Sequence, residues 1–530
     1  MATLTPSPTD AAPATEAVDA PEVSPETPQQ RGMRGAWLLG AAGLSLLVTV
    51  QALRDPDVWW HLAVGDLIRA HGIPAHEPFT FLGAPNPWVG QQWGYEVALS
   101  WMFAVGAWLP MLVMGLVATV ALVAAVRAIP RSVRVPGPFV ACALLLSALV
   151  AGTFLGTRGQ VITVLGTALV LWILARWREG STRAVWLLPP LFLVWTNLHA
   201  GFVYGIALCL LVALTIAVMR RVVAPGAEPA ARLRPLFAAL GAGMLATLVN
   251  PAGVHIYPYI ADTFTNPTLT SLITEWQSPN FHDTLLRLFE VEAVLMVGLW
   301  VAARRPDPVD VVLGIATIAM ALQAQRNIAL FAVIAAPQVA RYGWVVSSSW
   351  RTRPRIAALS RPRPALPALV LAAVLAISVV VAWVVPISRA SAIDDHIAHA
   401  YPVAATDHVA AHHAGERIYS LYEWGGYLVH RFPTQRTVYV YGESAVFGSA
   451  RMQRYLDIHL VRPGWRTVLE SDGMTVAIIP ADSQEATALL EIGWTTECHD
   501  MARDAVVMHQ GSVNVGPSQT PPDPRSAPAC

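Results

Sequence analysis

Apolar residues recur along this chain in runs of about eighteen, separated by short polar stretches, from residue 35 to residue 386. Each run is long enough to cross about 30 Å of hydrocarbon. The pattern predicts eleven membrane helices, at 35–53, 109–127, 137–155, 160–176, 184–199, 201–219, 235–250, 287–303, 308–324, 327–341 and 366–386. The stretch 93–106 is apolar but shorter and carries Glu96. It reads as a helix lying at the membrane interface, or as part of a longer second span. Beyond residue 386 the pattern changes. Short β-like runs at 417–422, 437–441, 475–479 and 505–509 alternate with helical stretches at 425–431, 444–459 and 483–492. That alternation predicts a small α/β domain within 387–512. Residues 1–34 and 513–530 lack an apolar period and read as disordered tails. The first apolar stretch begins near Ala36 with no small-residue cleavage site after it, so it is not a signal peptide.

Composition supports this division. Charged residues make up 13% of the chain, where about 25% is usual for soluble domains. Mean hydropathy is +0.48. The expected fold class is therefore a polytopic α-helical membrane protein of about eleven spans with a small C-terminal α/β domain. A β-barrel would show short alternating segments instead. Formal net charge is zero, which removes a global basic field for nucleic acid. There is no lysine, so arginine alone reports orientation. Arg127, Arg131 and Arg134 share one loop, and Arg176, Arg178 and Arg183 another. Arg220, Arg221, Arg232 and Arg234 follow, then Arg304 and Arg305, then Arg341, Arg351, Arg353, Arg355, Arg361 and Arg363. The positive-inside rule makes these five loops cytoplasmic. The N-terminus is then inside, and the loop 54–96 and the C-terminal domain are outside. Of the four cysteines, Cys142 and Cys209 lie in apolar segments. Cys498 and Cys530 can pair, although Cys530 falls in a Pro/Ser-rich tail.

The two sides differ in chemistry. The arginine-bearing loops hold mainly Arg, Pro, Ser and Gly. The opposite loops hold DPDVWWH at 55–61, GTRGQ at 156–160, WTNLHAGF at 195–202, NPAGVHIYPY at 250–259, TEWQSPNF at 274–281 and QAQRN at 323–327. Such side chains are costly at membrane depth and usually face a cavity or each other. They point to one pocket at the outer ends of the bundle. Asp55 and Asp57 are the leading candidates in it. A carboxylate can take a proton from a hydroxyl or hold a divalent cation, Mg or Mn, against a phosphate, with Asp57 the possible metal ligand. The alternative is a solvated pair capping the next helix. Arg158 and Arg326 run against the positive-inside trend and suit a phosphate; an ion pair with Glu275 or Asp57 is the alternative. Asn197, His199, Asn250, His255 and Gln325 suit sugar hydroxyls, or satisfy helix ends. Glu275 is a further acid. Trp60 and His61, like Trp59, Trp88, Trp93 and Trp101, suit a stacking surface or an interfacial belt. YEWGGYL at 422–428 and YGES at 441–444 either face this pocket or pack the domain.

The motifs DPDVWWHLAVGDLI, HEPFTF and WVGQQWGYE in 55–96, with WTNLHAGF, LVNPAGVHIYP, EWQSPNF, YEWGGYL and YVYGES, resemble a group of bacterial multi-pass proteins. That group looks like part of the GT-C glycosyltransferase superfamily, the broad class that includes the protein O-mannosyltransferases. The resemblance covers most of residues 35–510. It implies a polyprenyl-phosphate-linked sugar donor, an active site outside the cytoplasm, and a catalytic role for acidic residues of the first outer loop, here Asp55 and Asp57. Glu77 stands where relatives often have aspartate, and Gln91 and Gln92 where relatives often have a His-Glu pair. The expected function is sugar transfer at the outer face of a bacterial plasma membrane, to a glycan, lipid or protein acceptor. Arg158, Asn197, His199, Asn250, His255, Glu275, Arg326, Trp60 and His61 are the expected substrate contacts. Two other readings stand beside it. A transporter or flippase of a lipid-linked or small polar substrate would show inverted repeats and polar groups near the midplane. A cell-envelope scaffold would use the outer α/β domain as its binding module.

Overall fold

The computed structural model describes residues 27–530 apart from 51–52, 54, 84, 223–232, 268–272, most of 351–388, and 512–522. Thirteen helices are described before residue 351: α1 (Pro28–Thr49), α2 (Asp57–His71), α3 (Trp93–Val105), α4 (Trp108–Val126), α5 (Gly137–Gly152), α6 (Gln160–Arg178), α7 (Leu188–Leu198), α8 (Phe202–Val222), α9 (Leu233–Ala246), α10 (Ile256–Thr265), α11 (Arg287–Ala303), α12 (Pro308–Gln323) and α13 (Ile328–Trp350). Ten of the eleven expected spans coincide with a helix in this series; the eleventh, 366–386, lies largely outside the described residues. Among the described residues, five helices (α1, α4, α6, α8 and the stretch Gln325–Ser348) are long and apolar enough to cross a membrane. The chain is thus a largely helical membrane protein.

Local chemistry sets several boundaries. Thr27 caps α1 by accepting from Gln30 N at 3.2 Å, while the Gln30 side chain accepts from Thr27 N at 3.0 Å. Asp307 caps α12 ahead of Pro308, its carboxylate accepting from Val309 N at 3.0 Å. α13 runs through the centre: Ile328–Ala336 is buried throughout, against α5, α11 and α12. Small residues let helices approach closely, as is usual in membranes. A Cβ on Gly137 would lie 2.6 Å from Trp37, and one on Gly115 2.5 Å from Val50. α3 ends before α4 begins, so 93–105 is a separate helix and not an extension of the next span. α10 had no sequence expectation.

The C-terminal region contains α14 (Ala390–Ala400), α15 (Val403–His412), α16 (Tyr422–Arg431), α17 (Ser444–His459), α18 (Trp465–Asp472) and α19 (Gln484–Glu491). Its strands β1 (Ile418–Ser420), β2 (Val476–Pro480), β3 (Thr495–Asp500) and β4 (Ala505–His509) form one sheet in the order β1-β2-β4-β3. β1 and β2 are parallel, so the chain must cross over between them, and α16, α17 and α18 do so. Both other pairings are antiparallel. The stretch 437–441, expected to be a strand, makes isolated bridges at Val438 to Thr80 and Ile418. It lies between the sheet and the 54–96 segment, so neither partner gives it a full ladder. β3 and α18 had no sequence expectation. Residues 523–530, expected within a disordered tail, instead return to β3. Cys530 is disulfide-bonded to Cys498, His499 bridges Ala529, and a short 3₁₀ turn forms at Pro524–Ser526.

The sheet domain and the 54–96 segment interlock. Asn86 Nδ2 donates to Ala445 O at 2.8 Å and Asn86 N to Val446 O at 3.3 Å. The buried Glu77 carboxylate accepts from Phe79 N at 2.7 Å, Thr80 N at 3.0 Å and Tyr441 OH at 3.1 Å. Glu77 is therefore consumed as a structural cap that fastens the two segments together.

Candidate active site

The site is built on the start of α2. Asp55 Oδ1 accepts from Asp57 N at 3.0 Å, which fixes the turn through Pro56 and makes Asp57 the first residue of the helix. A helix N-terminus favours negative charge there. Trp60, one turn on, donates from Nε1 to Asp57 Oδ1 at 3.0 Å. Asp55 itself is buried, and its backbone carbonyl accepts from Tyr401 OH at 3.2 Å. Its carboxylate is paired with Arg158, just before α6, and the same guanidinium pairs with Glu275. Arg158 thus bridges two carboxylates and leaves Asp57 without a cation of its own among the described residues. Burial, then the charge on Asp55, pushes Asp57 up to about 6, against the pull of Arg158.

A further carboxylate, from the YGES motif, joins the cluster. Glu443, at the start of α17, is buried and accepts from Tyr259 OH at 2.8 Å and Gln91 Nε2 at 3.2 Å. Its neighbour Gly442 is pressed onto Asp57 and Trp60: a Cβ there would meet Asp57 Oδ1 at 2.0 Å and Trp60 Nε1 at 2.4 Å. Gly425 has the same role one layer out, with a Cβ position 2.0 Å from Val440 O. The YEWGGYL and YGES motifs therefore do both things considered for them: they pack the domain, and they seal the site. Burial raises Glu443 from 4.5 to about 7, with the Tyr259 and Gln91 hydrogen bonds opposing. Between these two values the folded protein holds a proton that the unfolded chain has released, so stability falls as pH rises through about 7. Glu443→Gln is expected to flatten that fall, read as thermal unfolding temperature from pH 5 to 8; an unchanged slope refutes it.

The other expected residues divide. His199 is drawn in: its Nδ1 accepts from Gly201 N at 3.0 Å and meets Thr163 Oγ1 at 2.8 Å, which places the ring proton on Nε2. Arg326 lies over the Trp276 ring at 4.5 Å, beside Glu275, and has no carboxylate within ion-pair distance among the described residues. Gln160 Nε2 holds the Arg326 carbonyl at 2.7 Å, and Gln325 Nε2 donates to Thr274 O at 2.8 Å, tying the two loops together. His61 is buried, its Nδ1 3.1 Å from Glu96 Oε1. Trp60 is buried among Tyr441 and Trp88, so it is a wall of the site and not an open stacking surface. Asn197 is occupied by Trp93 Nε1 (2.8 Å) and the carbonyl of Val249 (2.8 Å). Asn250 closes its own turn through Thr247, Ala252 and Gly253. His255 is exposed, on a short 3₁₀ turn. The two asparagines serve helix ends and turns in this conformation.

Divalent-cation binding was one expectation for Asp57. The donors are of the right type, but Asp55 and Glu275 both face Arg158. Among the described residues no three carboxylate or imidazole ligand atoms converge here. In this arrangement a cation held by Asp55 and Glu275 would have to displace the guanidinium. A cavity of about 660 Å³ opens at the other end of α6 and α12, lined by Arg131, Arg178, Asp307 and Arg341 among others. Its charges are already paired, Arg178 with Asp307 and Arg341 with Asp310. It offers no comparable chemistry.

A helical membrane bundle carrying an acidic cluster at one end, closed by an α/β domain, is the architecture expected from the GT-C resemblance. Among solved structures the chain is similar to the archaeal oligosaccharyltransferase AglB from Archaeoglobus fulgidus, in complex with an inhibitory peptide and a dolichol-phosphate. The TM-score is 0.51 at 11% identity, over 93% of this chain and 76% of that one. The likeness is one of fold: the chain shares its overall architecture with that oligosaccharyltransferase. No protein-family model matches the sequence. No curated protein matches it.

Proposed function

We propose that this chain is a membrane glycosyltransferase that moves a sugar from a polyprenyl-phosphate donor to an acceptor hydroxyl at the outer face of a bacterial plasma membrane. The observation that carries the reading is Asp57: a carboxylate enclosed at a helix N-terminus, left unpaired while Arg158 neutralises its two acidic neighbours, and poised near 6. A base of that strength takes a proton from a hydroxyl at neutral pH. The acceptor oxygen then attacks the anomeric carbon, the bond to the phosphate oxygen breaks, and polyprenyl phosphate leaves with inversion. Arg326, stacked on Trp276, is the cation available for the leaving phosphate. Arg158 is not, because both neighbours occupy it; its role is to hold Asp55 and Glu275. His199 Nε2–H is a donor for a sugar or phosphate oxygen. The reaction needs no divalent cation in this scheme.

The GT-C-like fold supports the reading, as does the dolichol-phosphate in the AglB complex. The arginine-rich loops support eleven spans with the acidic cluster outside, and the Cys498–Cys530 disulfide is at home in an oxidising compartment. A flippase would place its polar groups near the midplane, whereas these sit at helix ends. The test is an assay of detergent-purified protein with polyprenyl-phosphate sugars, scoring release of polyprenyl phosphate. Release that persists in chelator is expected. Lipid translocation in vesicles without release from any donor would overturn the reading.

A further inference from the structure

Away from the acidic cluster, three histidines and two glutamates meet at one end of the sheet. His408 lies on α15, His413 caps its C-terminus, Glu416 precedes β1, Glu497 is in β3 and His509 ends β4. His413 Nδ1 is 2.9 Å from Glu416 Oε1, and its Nε2 is 2.7 Å from Glu497 Oε2. His509 Nε2 is 3.3 Å from Glu416 Oε2, and its Nδ1 is 3.9 Å from Glu497 Oε1. The two imidazoles stack at 4.7 Å. One ligand atom from each of His413, Glu416 and His509 falls within a 4.8 Å span. Ligands about 2.0–2.1 Å from a tetrahedral zinc ion are about 3.3 Å apart, so these spacings need only small adjustment.

We propose that His413 Nδ1, His509 Nε2 and one Glu416 oxygen bind a single zinc-class divalent cation, with water in the fourth position. Two imidazoles and a carboxylate suit zinc over the oxygen-seeking magnesium and calcium. The surroundings favour this triad over the overlapping one of His408, His413 and Glu497. Metal-bound histidines ordinarily give their second N–H to a carboxylate. Here Glu497 lies behind the outer nitrogen of both His413 and His509, and His408 Nε2 steadies Glu497 at 3.1 Å. Thr475 Oγ1 donates to Glu416 Oε2 at 2.6 Å and orients it. Binding expels the proton that His413 otherwise shares with the two glutamates, so uptake releases protons. The ion ties the end of α15 and the approach to β1 to the end of β4, clipping helix and sheet together.

The test uses the full chain in detergent, stripped by chelator, then titrated with zinc against a chromophoric competitor and separately with cobalt. One zinc per chain is expected, together with the strong visible absorption of tetrahedral cobalt and a zinc-dependent rise in unfolding temperature. His413→Ala, His509→Ala and Glu416→Gln each remove all three signals. Glu497→Gln weakens zinc about 10- to 100-fold, as outer-shell partners do, and His408→Ala does so less. Asp57→Asn binds zinc as the parent does, which separates this site from the acidic cluster. No zinc uptake by the parent chain overturns the proposal. So does uptake that survives His413→Ala and His509→Ala, or that needs His408 but not Glu416.

Discussion

Asp57→Asn is expected to abolish polyprenyl-phosphate release while the protein accumulates normally and unfolds at or above the parent temperature. The amide keeps an oxygen for Trp60 Nε1, which holds the aspartate at 3.0 Å, so the start of α2 is preserved. It removes only the charge and the basicity. A positioned base contributes about 10²–10⁴ in rate, so residual release falls below about 1% of the parent. Burial makes the Asp57 charge costly, holding it up near 6, so neutralising it relieves the folded state at neutral pH. Loss of activity with retained or raised stability is therefore the signature of a base, whereas a structural cap would lose stability. Asp55→Ala acts by a different route. It frees Arg158 and withdraws the acceptor of Asp57 N, so activity and stability fall together. Full release by Asp55→Ala, Asp57→Ala and the double variant would sink the assignment.

Arg158→Ala carries the largest expected cost in stability, about 3–5 kcal/mol, the range for removing one partner of a buried ion pair. The guanidinium side chain is 16% exposed and pairs with Asp55 (5%) and Glu275 (29%), so solvent screens little of the loss. Without it, Asp55 and Glu275 are left as like charges with Asp57 nearby and no cation between them. Arg158→Lys recovers only part, because a point charge does not span two carboxylates as a planar fork does. Adding Asp55→Asn and Glu275→Gln to Arg158→Ala is expected to restore most of the unfolding temperature without restoring activity. If the triple variant is as unstable as Arg158→Ala alone, the bridge is not the source of the cost.

Much of this was legible in the sequence. Apolar run length located the helices, because hydrocarbon thickness sets that length directly. Asp55 and Asp57 stood out because two charges beside an apolar segment are rare in a chain so poor in charge. Arg158 was weighed as phosphate binder against ion-pair partner of Glu275, and the structure has the ion pair. What sequence does not carry is which polar groups a turn consumes. Asn197 and Asn250 look like ligands by type, yet their amides are taken by carbonyls at helix ends. Glu443 lies in the YGES motif, but nothing local singles out its carboxylate. Its meaning depends on Gln91, which is 352 residues away, and no local period encodes that contact. The 437–441 stretch has strand-like composition, but its edges are shared between two partners from distant parts of the chain.

The seating of Gly442 on Asp57 and Trp60 also dictates a timetable. Synthesis runs from the N-terminus, so the base emerges near the beginning and the residue that walls it in emerges near the end. Until then nothing from the late segment presses on the Asp57 carboxylate. The enclosure of that carboxylate is therefore complete only once the late segment has docked. Contacts of such long range form slowly, so enclosure of the Asp57 carboxylate is a late event in folding.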